Sequence, residues 1–459
     1  MHTSNRRNFL ETGLALAGAM SLPAQTLRVE TRGRVELTLE ARQDWIEVGG
    51  RYGHLYGFNG QIPGPIIEAY PGDEVRIALL NRLQESTNLH FHGLHIPSTG
   101  NADNMMLRVP PQETLNYSFT LPSDHPAGIF WYHPHVHGSA ARQVSRGFAG
   151  VFIVRGEIDL LPEIQRAPET VLVLQDFDLD AQGEPLEPGM METINGREGR
   201  LITVSGRVSP SIKIQRGGWI RLRILNASSS RFYRMRIEEH PFYVIGTDGG
   251  FVTQPYLQNE ILLAPGERID VMVKGDRPPG EYHLHNLPYN RGSMGMMGMR
   301  LGLQPAAISL ATLQYEGQAE FSWNLPSKLA DIDPLPQASI RRQFQLGSGM
   351  GMSFTINGRT FNEDRVDTRS VLGAVEDWEF LNPTGMDHPM HIHTNPFQLL
   401  RSDGSAIPAW KDTVLVPARS RVTVRTQFRD FDGVSMYHCH ILDHEDLGMM
   451  GALEIRLPQ

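Results

Sequence analysis

Hydrophobic and polar positions alternate with a period of two along most of this chain. Val35-Glu36-Leu37-Thr38-Leu39-Glu40 and Val75-Arg76-Ile77-Ala78-Leu79 put apolar side chains on one face and polar ones on the other, the pattern of half-buried β-strands. Clusters of Gly and Pro punctuate these runs at Pro63-Gly64-Pro65, Pro71-Gly72, Pro265-Gly266 and Pro278-Pro279-Gly280, where strands end and turns begin. No long stretch repeats with helical period. The pattern predicts an all-β protein.

A loose internal repeat sets the domain count. Phe58-Asn59-Gly60, Val204-Ser205-Gly206 and Ile356-Asn357-Gly358 each open a stretch that runs to a loop near His90, His240 and His391. Each stretch continues into a Val/Ile/Phe-rich strand and an aromatic-rich turn: Phe130-Trp131-Tyr132-His133, Glu281-Tyr282-His283 and Met436-Tyr437-His438. Three Greek-key β-sandwiches of about 140 residues each fit the length. The expected organisation is a targeting segment at 1–25, sandwiches at 26–160, 161–304 and 340–459, and a linker at 305–339, with a shorter linker from Leu160 to Ala167.

Composition narrows the function classes. Hydrophobic residues at 40% and charged residues at 20% supply cores and exclude global disorder. A net charge of −9 argues against nucleic acid as the main partner, because phosphate binding needs a basic face. Arg6-Arg7-Asn8-Phe9-Leu10 followed by the apolar run Leu14 to Leu22 reads as a twin-arginine export signal. That run is shorter than the ~20 residues a membrane span needs, so the mature protein is expected in the periplasm or outside the cell without a membrane helix. Small residues at Ala17-Gly18-Ala19 and near Ala24 both offer a cleavage site. The single cysteine, Cys439, excludes an intramolecular disulfide.

Candidate chemistry concentrates in four segments: His90-Phe91-His92, His133-Pro134-His135-Val136-His137, His388-Pro389-Met390-His391-Ile392-His393 and His438-Cys439-His440-Ile441-Leu442-Asp443-His444. On a strand, residues i and i+2 share a face, so each His-x-His aims two imidazoles one way. If the first and third sandwiches meet, eight imidazoles surround a common space, and imidazole suits Cu, Zn and Fe. The last segment selects the metal. His438 and His440 point one way and Cys439 the other, with His444 five residues later and Met449 ten residues later. Two histidines, a thiolate and a weak axial thioether make a blue-copper site. His388, outside the His391/His393 pair, is the natural second histidine. The peptide around Cys439 then joins a mononuclear copper directly to a histidine-bound cluster.

With Phe130 to His135 and the run from His438 to Met450, the chain resembles the three-domain multicopper oxidases, the family of laccases and bacterial copper-efflux oxidases. The resemblance implies three cupredoxin-like sandwiches and four copper ions. It places His388, Cys439, His444 and Met449 on a type 1 copper and His90 and His391 on type 2. It places His92, His133, His135, His393, His438 and His440 on a type 3 pair. It further implies one-electron oxidation of small reductants (phenols, aromatic amines or Cu(I)) coupled to four-electron reduction of O2 to water, in a monomer. The main expectation is a laccase-type oxidase, the alternative is a cuprous oxidase for copper tolerance, and a copper-free structural member of the fold is the reading outside catalysis.

O2 reduction consumes protons that metal-bound imidazoles cannot give. Glu445, directly after His444, matches a proton-relay glutamate of bacterial members, and Asp103 follows the first His-x-His where the family places an acid. His137 reads as a neighbour of the ligands. His283 and His285, at the matching place in the second repeat, read as structural, because the loop near His240 has no His-x-His. His2, His54, His95 and His125 carry no signal. Met294, Met296, Met297 and Met299 alternate with glycine, with Met350 and Met352 further on. Glycine packs nothing, and a thioether favours Cu(I), so this segment is a candidate accessory Cu(I) site.

Overall fold

The computed structural model describes residues 33–294, 306–349 and 352–458, with the backbone of the short strand Thr26–Leu27. The chain forms six sheets, stacked in pairs. In the first pair, the strands Arg51–Phe58, Arg34–Val48, Glu74–Asn81 and Thr114–Thr120 lie side by side. They face a sheet of Thr26–Leu27, Gly64–Ala69, Gly150–Val154, Gly128–His133 and His90–His92. Val35, Leu39, Val75, Ile77, Phe91, Tyr117 and Phe152 fill the space between, the inward half of the alternation read from the sequence. Arg34–Val48 runs parallel to Glu74–Asn81 and antiparallel to Arg51–Phe58. Such mixed sheets are what Greek-key cupredoxin-like domains in tandem require.

The second pair is built around Glu169–Phe177, Trp219–Asn226 and Arg268–Lys274 on one side and Glu281–Leu287 and Ile308–Gln318 on the other. The third stacks Ile340–Ser348, Val375–Asn382 and Ser420–Gln427 against Met450–Arg456, Gly433–Cys439, His388–Ile392 and Thr413–Val416. Two expectations need correction. The stretch 305–339 is not a linker throughout, because Ile308–Gln318 pairs with Ser211–Arg216 and Glu281–Leu287 inside the second sandwich. Beyond it, residues 319–339 form no regular element but are pinned down: Trp323 donates to Glu163 O at 2.9 Å, and Gln398 holds Leu335 N and Asp333 O. The aromatic-rich segments are strands, Gly128–His133, Glu281–Leu287 and Gly433–Cys439, and not turns.

The internal repeat has a local physical cause. Asn59-Gly60, Ser205-Gly206 and Asn357-Gly358 all have positive φ at both positions, which closes a tight hairpin turn of the hand that suits twisted strands. Each first residue also ties its turn to a neighbouring strand: Asn59 Oδ1 accepts from Glu40 N, Ser205 Oγ from Val173 N, and Asn357 Oδ1 from Gln345 N. A second repeated device was not read from the sequence. Asn81, Asn226 and Asn382 end equivalent strands, fully buried, and each carboxamide donates to one carbonyl of the loop that follows (Glu85, Arg231 or Met386) and to one of a distant segment (Val109, Leu263 or Val416).

Ion pairs and short helices dock the sandwiches. Arg155, Arg221 and Arg223 meet Glu68, Asp159, Glu169 and Asp270 between the first and second. The helices Ala140–Ser145 and Leu442–Asp446 join the first to the third, where Asp446 accepts from the N–H groups of Gly138, Ala140 and Ala141. Arg197 of the second sandwich pairs with Asp443.

Candidate metal centre

Register brings the histidines together. His90 lies opposite His133 in the first sandwich and His391 opposite His438 in the third. The two ligand-bearing sheets meet, so that His90 Nε2 and His391 Nε2, 301 residues apart in sequence, lie 3.4 Å apart. The eight imidazoles pack into one cluster, with the shortest ring separations between His92 and His391 at 3.7 Å and between His90 and His393 at 3.8 Å. His92, His133 and His440 form one triad, with ring centroids 5.8, 4.9 and 5.6 Å apart. His135, His393 and His438 form another, at 4.9, 4.7 and 5.1 Å. His90 and His391 bridge the two.

Hydrogen bonds on the outer nitrogens fix which nitrogen faces inward. His133 Nδ1 donates to Pro134 O, His391 Nδ1 to Asp412 O, His438 Nδ1 to Cys439 O and His90 Nδ1 to Asp103 Oδ1. Their Nε2 lone pairs are left for the centre. His92 is reversed: Nε2 donates to Asp412 at 2.9 Å, and buried Nδ1 has no partner. Both nitrogens of His440 and Nε2 of His133 are likewise buried without partners. An unsatisfied buried polar group costs about 1–3 kcal/mol, and here several converge. Nε2 atoms of His393 and His135 approach Nε2 of His438 at 2.9 and 3.1 Å. Burial, reinforced by neighbouring imidazoles, holds His90, His92, His133, His393 and His440 well below the usual histidine range. Neutral imidazoles with lone pairs converging on shared points are a metal-binding donor set.

A second centre lies on the other face of the strand Gly433–Cys439. Cys439 Sγ is 3.6 Å from His388 Nδ1 and 3.8 Å from His444 Nδ1, and the two nitrogens are 3.3 Å apart. The outer nitrogens are taken again, His388 Nε2 by Thr384 Oγ1 and His444 Nε2 by Ile194 O. Met449 is fully buried in the same core cluster, and its carbonyl accepts from Cys439 N at 3.0 Å. Burial pushes the Cys439 thiol up, so a thiolate there requires a compensating cation, which a bound metal ion provides.

Acids sit on both flanks of the histidine cluster. Asp103, fully buried, accepts from His90 Nδ1 and Phe91 N at 2.8 Å, and its second oxygen lies 3.6 Å from His393 Nδ1. Glu445 lies 3.1 Å from His438 Nδ1 and 3.6 Å from His135 Nδ1, with neither oxygen in a hydrogen bond. Burial pushes Asp103 up to about 8 and Glu445 up to about 7.

Sequence reasoning missed a third wall. Asp412 accepts from His92 Nε2 through a carboxylate oxygen and from His391 Nδ1 through its carbonyl. Arg268, fully buried in the second sandwich, holds that carboxylate from both ends at 2.7 and 2.5 Å. It also donates to Ile129 O of the first sandwich and to Asp248 O. Burial alone would raise Asp412; the guanidinium, with His92, keeps it well below the usual carboxylate range. Two residues earlier, Gly266 has φ +83°, and a Cβ there would meet the His440 ring at 2.7 Å. The one signal in the sequence is Pro265-Gly266, which marks a turn without showing what the turn touches.

The remaining candidates fall elsewhere. His283 Nδ1 meets Thr312 and His285 Nε2 meets Glu238, away from both centres. Met294 packs against the core around Cys439, and its N–H is held by Asn195. Met296, Met297, Met299 and Met350 lie outside the described residues, and Met352 is exposed.

Three family models, each described as multicopper oxidase, match residues 40–158, 168–318 and 334–458. Among solved structures, the chain is 31% identical to a multicopper oxidase from Campylobacter jejuni described as a metallo-oxidase, covering 95% of each chain with a TM-score of 0.84. A laccase from Pediococcus acidilactici is 30% identical, with 94% and 92% covered and a TM-score of 0.80. A cell division protein FtsP of Xenorhabdus nematophila is 30% identical over 98% of both chains.

Proposed function

The chain belongs to the multicopper oxidases and is a copper-dependent oxidase, and from that premise we propose that it is an exported metallo-oxidase acting first on cuprous ion. In this reading His388, Cys439, His444 and Met449 hold a type 1 copper. His90 and His391 hold type 2, and the triads His92/His133/His440 and His135/His393/His438 hold the type 3 pair. The four coppers supply electron storage and O2 reduction to water; the protein supplies geometry and protons.

One observation favours cuprous ion over phenols. The helix Met190–Asn195 sits on the type 1 histidine, whose Nε2 donates to Ile194 O at 2.9 Å. His388 and His444 are both fully buried, so a bulky aromatic has no imidazole edge to stack on. The helix instead offers Met190 and Met191, 66% and 58% exposed, beside half-buried Met294. Thioethers are soft donors that suit Cu(I). The similarity to a protein described as a metallo-oxidase points the same way.

His438, Cys439 and His440 are consecutive, so an electron leaving the sulfur crosses one residue in either direction to reach a cluster imidazole. Asp103 orients His90, and the second oxygen of Asp103 and the carboxyl of Glu445 hold protons within 3.6 Å of imidazole nitrogens on opposite flanks. A structural role of the kind suggested by the name cell division protein has no use for a donor set at all twelve ligand positions. The twin-arginine segment supports export, and among the described residues no helix is long and apolar enough to cross a membrane.

The test is steady-state oxidation of Cu(I) and of 2,6-dimethoxyphenol on one copper-loaded sample. We expect the higher kcat/KM with Cu(I), and Met190→Leu with Met191→Leu and Met294→Leu should raise only the Cu(I) KM. Faster phenol oxidation, with Cu(I) kinetics indifferent to the three methionines, would return the reading to a laccase.

A further inference from the structure

A second group of methionines lies far in sequence from the helix Met190–Asn195. A small half-open cavity of about 10 Å³ is walled by Met105, Met106, Met436, Met450, His135 and His137. Strand register explains why. Met450 lies directly across from His438, and Met436 stands two residues before His438, so both project from the sheet face that carries this cluster histidine. Both are buried. Met105 packs against them from the loop that also carries Asp103, and Met106 beside it is 48% exposed. Exposed Met106, half-buried Met105 and buried Met436 and Met450 therefore line one cavity, which His135 also walls.

His137 adds a nitrogen. Its Nδ1 is buried and has no hydrogen-bond partner, and its ring meets Phe361 edge-on at 5.0 Å. At the rim Arg108 and Glu363 pair with each other, so no excess negative charge draws in hard cations. A purely apolar wall would be better served by Leu or Ile, which have fewer rotamers and pack more definitely.

We infer that Met105, Met106, Met436, Met450 and His137 form a soft-metal site that binds one cuprous ion beside the histidine cluster and separately from it. Separation follows from His135, whose Nε2 faces His438 and whose Nδ1 faces Glu445; the site does not need it. Thioethers with one imidazole select Cu(I) over oxygen-seeking ions. The site is distinct from the thioethers over Cys439 and does not depend on which reductant the enzyme uses. Its position gives it a use in holding copper next to the cluster that must be loaded.

Silver(I), a soft ion without redox chemistry here, is the probe. The copper-loaded full-length protein is titrated with Ag(I) and counted by native mass spectrometry, with X-ray absorption at the silver edge. We expect the wild type to hold one more Ag(I) than the Met105→Leu, Met436→Leu variant, with sulfur dominating the shell of that ion. Retained blue absorbance verifies the fold of the variant. Met106→Leu, at an exposed position, provides the second comparison and should weaken that ion at least tenfold; it decides alone if the double variant loses its colour. Silver binding unchanged in the folded variants, or no silver held beyond the copper count, overturns the site.

Discussion

Replacing Arg268 with Met tests whether the second sandwich, which supplies none of the twelve proposed copper ligands, shapes the metal centre. The guanidinium makes five hydrogen bonds: one to Ile129 O, one to Gly266 O, one to Asp248 O and two to Asp412. Methionine approximates the stem and removes every donor. Asp412 would be left as a buried carboxylate without its cation, and breaking such a pair costs about 3–5 kcal/mol. Partners of metal-ligating histidines are worth about 10–100-fold in metal affinity, and Asp412 orients two, His92 and His391. We therefore expect Arg268→Met to lose about 3–5 kcal/mol of copper-free stability by denaturant unfolding. The reconstituted protein should show a depleted or altered type 2 electron paramagnetic resonance signal, with the type 1 signal intact. Adding Asp412→Asn should restore much of the stability, because no charge then remains unpaired, yet leave the type 2 defect. A stability loss under about 1 kcal/mol, or a normal type 2 signal, would refute the reasoning.

Cys439→Ser should abolish the blue absorbance and oxidase activity, read by visible spectroscopy and O2 uptake, since a hydroxyl cannot replace the thiolate; a variant that stays blue contradicts the site. Glu445→Gln keeps the shape but cannot pass a proton, so anaerobic bleaching by reductant should survive while reoxidation by air slows, seen by stopped flow. Gly266→Ala forces a Cβ against the His440 ring at a positive φ and should perturb the type 3 absorption while leaving the type 1 band. His283→Ala with His285→Ala should leave metal analysis at the wild-type copper content.

The strands and the gathering of His-x-His pairs were legible because a period of two fixes both burial and which face an imidazole takes. The His-Cys-His run showed two faces of one strand, and the structure puts the two centres there. What stayed hidden depends on contacts between sandwiches. Arg268 and Asp412 carry no local pattern, and their meaning arises only when a turn of the second sandwich reaches the third. Met105 and Met436 are ordinary core residues in their own segments and become neighbours through a loop and a sheet face. Ile308–Gln318 carries no clean alternation, since Leu310, Ala311 and Leu313 are buried while Ile308 is exposed. Asn81, Asn226 and Asn382 escaped notice since a buried carboxamide closing a loop looks, in sequence, like any strand end.

The meeting of His90 with His391 has a topological consequence. This chain has one cysteine and no covalent cross-link to hold its ends together. A metal ion ligated from both strands ties positions 301 residues apart, as a disulfide would. By the chain-entropy relation, closing a loop of that size removes about 6 kcal/mol of freedom from the unfolded chain. A copper cluster bound there would be a reversible staple between the first and last thirds of the molecule. A chain truncated before its final strands cannot be fastened this way, and a chelator that strips the metal leaves the first and third sandwiches held by their helix and ion-pair contacts alone.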